Sequence, residues 1–175
     1  MNLLQLLDRP RWLLAGVCLA CIALLGVGLV LQHGLGLEPC PMCIVQRYAL
    51  VLVAVAAGLG AWAGRQWVQG CSALVAGLLA AGGAFVAARQ SFLQWYPPES
   101  YSCGRDFYGM IETFPLKRAI PMIFRGSGDC TKVDWSFLGL SIANWSFIAF
   151  VGLALLCAGM LLRQWLIGRP VLSSN

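Results

Sequence analysis

Cys40-Pro41-Met42-Cys43-Ile44-Val45-Gln46-Arg47-Tyr48-Ala49-Leu50-Val51-Leu52-Val53 decides how the rest of the chain is read. A Cys-x-x-Cys pair stands where a short polar break, Gln32 to Pro39, gives way to a long apolar run. That spacing brings two sulfurs close enough to cycle between dithiol and disulfide. The run from Ile44 reads as a membrane helix, so Cys43 sits at its N-terminus and feels the positive end of the helix dipole. Arg47, one turn further on, shares the face of Cys43 and adds a permanent cation. Both effects favour thiolate over thiol, and the thiolate is the reactive form. The stretch points to redox chemistry at a membrane surface.

Composition agrees with the membrane half of that statement. Of 175 residues, 59% are hydrophobic and only 11% charged, against roughly 25% charged in ordinary soluble domains. The net charge of +5 invites a nucleic-acid reading, but the sequence has no basic run or basic-aromatic patch to support one. The basic residues cluster instead at the ends of apolar segments, where topology is decided.

Four such segments are expected, at about 12–31, 44–63, 72–95 and 145–162, each near the ~20 residues needed to cross a bilayer core. The fold class is therefore an all-α, four-helix membrane bundle, taken as one integral domain over 1–175. Trp12 to Leu31 reads as a permanent span and not a cleaved signal peptide, because Gln32-His33-Gly34 lacks the small-residue pattern of a cleavage site. A short turn, Gly64 to Gly70, joins the second and third spans. Gly60 and Gly64, with Gly77, Gly82 and Gly83, suggest close helix packing. Pro97-Pro98 ends the third span and opens a long polar connection to about Asn144.

Four spans put both termini on one side. That side carries Arg9, Arg11, Arg65, Arg163 and Arg169 against Asp8 alone, so the positive-inside rule makes it cytoplasmic. The two loops on the other side, a short one at about 32–43 and a long one at about 96–144, hold Cys40, Cys43, Cys103 and Cys130. Four loop cysteines suggest two disulfides and an oxidising compartment, with the pairing left open. Within the long loop, Ile120 to Phe124 and Trp135 to Leu140 are too apolar for a solvated linker and too short to span. They are expected to lie in the interface and hold the loop cysteines near the membrane.

Each candidate has a plainer reading. A Cys40–Cys43 bridge closes too small a loop to add much stability, which favours catalysis over a structural role. A tetrahedral zinc site is a weaker rival, since neither Cys103 nor Cys130 belongs to a second Cys-x-x-Cys. Cys18-x-x-Cys21 has the same spacing but lies inside an apolar span, where cysteine behaves as a small hydrophobe. Cys157 follows it, and Cys71 reads as a free thiol at the cytoplasmic end. Arg47 inside a span is costly and usually functional, whereas Arg89 and His33 read as interfacial residues. The chain lacks a Rossmann glycine fingerprint and has only one histidine, so neither a nucleotide cofactor nor a bis-histidine haem fits. A lipid-soluble acceptor such as a quinone fits, with Arg47 stabilising both the thiolate and the reduced, anionic quinone.

The Cys40-x-x-Cys43-Ile44-x-x-Arg47 block, the second pair at Cys103 and Cys130, and the stretches Gln94-Trp95-Tyr96-Pro97 and Trp135 to Leu140 resemble the bacterial disulfide-bond-formation protein B (DsbB) family. The resemblance covers nearly the whole chain. It implies an inner-membrane protein-dithiol:quinone oxidoreductase that keeps the periplasm oxidising. A reduced periplasmic thioredoxin-fold oxidase of the DsbA type would attack Cys103 of a Cys103–Cys130 disulfide. Cys130 would then attack Cys40, freeing Cys43 as a thiolate beside a bound quinone, with Arg47 as the quinone-site arginine. Gln46 stands where an acidic residue can precede that arginine, and Gln90 where a histidine can occur near the quinone. Both positions bear on the choice between ubiquinone and menaquinone. The rivals are a DsbI-type paralogue with a dedicated partner, and a non-enzymatic membrane protein whose cysteines are structural or bind metal.

Overall fold

In hydrocarbon no water reaches the backbone N–H and C=O groups, so an apolar run satisfies them internally by closing into a helix. The computed structural model describes residues 9–36, 40–97 and 135–166. Among these it has four long helices: α1 (Pro10–Leu35), α2 (Pro41–Trp62), α3 (Gln66–Trp95) and α4 (Ile142–Leu166). All four are long and apolar enough to cross a membrane, and the protein is a multi-pass, all-α, four-helix bundle. Cys103, Cys130 and the stretch Ile120 to Phe124 lie outside the described residues.

The helices run further than the apolar segments that nucleate them. Polar side chains do not break a helix; they only carry it out of the hydrocarbon. α1 therefore continues through Gln32 and His33 and stops at Gly36, whose φ of 66° is the left-handed conformation that glycine adopts without strain. The turn expected over Gly64 to Gly70 shortens to Ala63–Arg65, because the Gln69 N–H already bonds the Arg65 carbonyl at 3.2 Å. The Gln69 side chain then donates to the Ala63 carbonyl at 3.0 Å and closes the turn. The apolar stretch before α4 folds as a two-strand hairpin, β1 (Ser136–Phe137) with β2 (Leu140–Ser141). Leu138 and Gly139 turn it with φ of 53° and 77°. Trp135 stacks on Phe137, and the Trp145 indole N–H donates to the Phe137 carbonyl at 3.1 Å.

Three cross-links fix the directions. Arg47 near the start of α2 bonds Gly28 near the end of α1. Gln46 of α2 bonds Gln90 near the end of α3. Ser141, just before α4, donates to Gln94 of α3 at 2.6 Å. Each helix is thus antiparallel to the next, and Arg9, Arg65 and Arg163 share the end opposite Cys40. Ser141 Oγ also accepts the Asn144 N–H at 3.4 Å, capping the first turn of α4.

The inside of the bundle is narrow. α3 turns a seam of Ala73, Ala76, Ala80, Gly83, Ala84 and Ala87 inward, while Leu19, Ile22, Val30, Leu52, Val55 and Leu78 face outward. Association between helices in lipid rests on close packing, which small residues permit. Gly60 lies where α1, α2 and α3 meet, and a Cβ there would come within 2.9 Å of Leu14 Cδ1. At Gly83 a Cβ would overlap the ring of Phe150, a fully buried side chain of α4. Gly64 and Gly82 face open space, so of the pair Gly60 and Gly64 only Gly60 sits at a tight helix contact.

Gly83→Ala is expected to lower bundle stability by about 1–3 kcal/mol through overpacking. Gly82→Ala is expected to be neutral or to gain up to about 1 kcal/mol from helix propensity. Thermal unfolding of the two purified variants in detergent checks the difference.

Candidate redox site

The site is built where the first turn of α2 meets the last turns of α3. Pro41 suits the first helical position, where its missing N–H costs nothing and its fixed φ matches the helix. Cys40 is the N-cap, and its Sγ accepts the Cys43 backbone N–H at 3.4 Å. Both sulfurs therefore sit at the positive end of the helix, not Cys43 alone. Met42, between them, is wholly buried against Val86 and Leu93 of α3, and this small cluster seats the turn. Cys40 is buried and Cys43 half-buried. Their sulfurs are 2.9 Å apart.

Two glutamines complete the arrangement. The Gln90 amide nitrogen donates to Cys43 Sγ at 3.3 Å and to Cys40 Sγ at 3.4 Å. Cys43 Sγ also lies 3.7 Å from Gln90 Oε1. That oxygen accepts from Gln46 Nε2 at 2.7 Å. Gln46 and Gln90 are 5% and 3% exposed, so the amide pair is dry. Burying such groups is unfavourable unless they are hydrogen-bonded, which here they are.

Arg47 is placed differently from the sulfurs. Its guanidinium reaches across to α1, donating to the Gln32 side-chain oxygen and, at 3.0 Å, to the Gly28 carbonyl. It lies on the cysteine-bearing end of the bundle as a cation fixed to α1, and its hydrogen bonds do not run to Cys40 or Cys43. Arg89 is half-buried, with its guanidinium carbon 5.7 Å from the centre of the Phe92 ring. His33 is exposed in the last turn of α1. Cys21 and Cys157 are fully buried in the main apolar core, against which Cys18 packs. Cys71 is at the opposite end, in the first turns of α3.

In sequence Gln46 and Gln90 stand out only as departures from a family pattern, and neither the contact of Gln90 with the sulfurs nor that of Gln46 with Gln90 is visible there. A signal was available: a glutamine inside an apolar span is unfavourable in hydrocarbon, and such polar residues usually face the bundle interior with a partner. What the sequence could not supply was the partner, since Gln90 and Cys43 meet only through the pairing of α2 with α3.

The family described as Disulfide bond formation protein DsbB matches residues 10–160. Disulfide bond formation protein B of Polaromonas sp. strain JS666 is 74% identical over 148 residues, covering 83% of this chain and 87% of the relative. The protein of the same name from Polaromonas naphthalenivorans is 67% identical over 162 residues, 91% of this chain and 96% of the relative. That from Aromatoleum aromaticum is 51% identical over 157 residues, 88% of this chain and 93% of the relative. With a family match across nearly all of its length and relatives this similar, the chain belongs to the DsbB family of disulfide bond formation proteins.

Proposed function

We propose that this protein is a membrane thiol:quinone oxidoreductase that reoxidises a periplasmic thioredoxin-fold oxidase of the DsbA type. It would act as one integral domain of the bacterial inner membrane, with both termini cytoplasmic and the cysteine-bearing loops periplasmic. The observation that carries the reading is the Cys40–Cys43 sulfur pair, 2.9 Å apart at the positive end of α2 and supplied with an amide donor. Family membership supports the thiol chemistry. The arginines at the opposite end support the orientation.

The overall reaction converts a partner dithiol and a quinone into a partner disulfide and a quinol. A partner thiolate attacks Cys103 of a Cys103–Cys130 disulfide, forming a mixed disulfide and releasing Cys130 as thiolate. Cys130 attacks Cys40, so that the Cys40–Cys130 bond forms, the Cys40–Cys43 bond breaks and the electron pair stays on Cys43. The partner's second thiol displaces Cys103 and leaves as the oxidised product. Cys103 then attacks Cys130, which restores their bond and releases Cys40. Re-forming the Cys40–Cys43 bond gives up two electrons and two protons.

The donor set fits a quinone as the acceptor of those electrons. Cys43 is half-buried beside apolar side chains, and the Gln90 amide and the Arg47 guanidinium are donors of the kind that carbonyl oxygens accept. When bound, quinone supplies a lipid-soluble acceptor for two electrons and two protons. Arg47 would favour negative charge there, and Gln32 and the Gly28 carbonyl would keep its guanidinium in place.

Anaerobic mixing of purified protein, a reduced thioredoxin-fold oxidase and quinone, followed by quinone absorbance, tests the reading. Serine at Cys40, Cys43, Cys103 or Cys130 is expected to reduce turnover to background with the fold intact, whereas replacing both Cys18 and Cys21 with alanine leaves it. Turnover that survives Cys43→Ser contradicts the reading. Arg47→Lys is expected to lose at least about tenfold in turnover, because a point ammonium cannot reproduce two fixed guanidinium bonds to α1. Steady-state kinetics against quinone concentration measures that loss.

A further inference from the structure

Gln90 uses both ends of its amide at the sulfur pair. Its oxygen accepts from Gln46 at 2.7 Å and from the Cys43 thiol at 3.7 Å, and its nitrogen donates to both sulfurs, at 3.3 and 3.4 Å. A sulfur that has lost its proton can no longer donate to the amide oxygen, and the N–H groups are then what the amide offers it. By holding that oxygen, Gln46 turns the donor end of Gln90 toward sulfur, and both side chains are buried, where a hydrogen bond to an anion is stronger than in water.

We propose that Gln90 is a catalytic hydrogen-bond donor to the sulfur that becomes anionic when the Cys40–Cys43 bond opens, and that Gln46 is the positioning residue that keeps it so turned. The inference rests on the reading of Cys40 and Cys43 as the redox pair. When an incoming thiolate bonds to Cys40, the Cys40–Cys43 bond breaks and its electron pair moves to Cys43 Sγ, which already faces the Gln90 N–H. No proton changes hands. The amide has no charge to lose, so its contribution is the same across the working pH range, unlike that of a carboxylate or an imidazole.

Among the described residues, the other charged and titratable groups at this end are few. Arg47 and Tyr48 lie on α2, Arg89 on α3 with Tyr96 as its C-cap, and His33 on α1, and α4 has no charged side chain before Arg163. Arg47 is engaged with α1, Arg89 lies over Phe92, and Tyr48 and His33 are exposed. Gln90 donates directly to both sulfurs.

The test follows iodoacetamide alkylation of Cys43 against pH by mass spectrometry, in reduced full-length protein carrying Cys40→Ser. Gln90→Met, similar in length but without donors, is expected to raise the pH midpoint by about one unit, roughly a tenfold loss of thiolate at fixed pH. Gln46→Met is expected to shift it the same way by less, and the double variant to match Gln90→Met alone, because Gln46 acts only through Gln90. Gln90→Glu keeps the shape and, ionised, replaces donors with charge, so it is expected to shift the midpoint further than Gln90→Met. An unchanged midpoint in folded Gln90→Met overturns the proposal, and so does an unchanged midpoint in Gln90→Glu if the methionine variant does not fold. Additive effects of Gln46 and Gln90 overturn the positioning role. Normal quinone reduction by Cys43→Ser would instead sink the redox-pair reading, which separates the two failures.

Discussion

The first turn of α2 is pinned to the end of α3 by Met42 packing on Val86 and Leu93, and everything chemical in the bundle depends on that contact. A cysteine pair on a free loop would sample many geometries. Here Cys40 caps the helix with its own sulfur, Pro41 fixes the entry of the chain, and buried Met42 prevents the turn from rolling. The sulfurs are thereby held together, at the positive end of a helix and beneath one amide. Dipole and amide act in the same direction, favouring charge on sulfur at the edge of a medium that otherwise opposes it.

The remainder of the bundle serves to keep α2 and α3 in register. In lipid, apolar side chains gain little by leaving one apolar medium for another, so packing density and interhelical hydrogen bonds do the work. The alanine seam of α3 lets α2 and α4 approach closely, and Gly83 admits the Phe150 ring. Polar links then fall in one layer at the cysteine end: Arg47 with Gln32, Gln46 with Gln90, Gln94 with Ser141. Gln90 and Gln94 are one turn apart on α3, so the same face that meets the sulfurs also secures the start of α4.

Much of this was legible before any coordinates. Four apolar runs of membrane length announce four helices, and a Cys-x-x-Cys opening one of them announces where the chemistry sits. Helix ends were less legible, because hydropathy reports where hydrocarbon stops and not where hydrogen bonding stops; α1 passes Gln32 and α3 begins before Cys71. The hairpin before α4 was hidden in a stretch whose apolar residues read as an interfacial segment, with Leu138 adopting a backbone conformation rare for leucine. Least visible were the amide contacts. Glutamines inside apolar spans call for partners, but only the antiparallel pairing of α2 and α3 sets Gln90 against the sulfurs and Gln46 against Gln90. Cys103 and Cys130 remain sequence-level assignments, since they lie outside the described residues.

In the proposed orientation the sulfur pair works on the periplasmic face. The most direct measurement uses protein retaining Cys40 and Cys43 as its only cysteines, reduced and then exposed to a membrane-impermeant maleimide. Labelling in intact spheroplasts and protection in inverted vesicles is the predicted result. Labelling confined to inverted vesicles would contradict it.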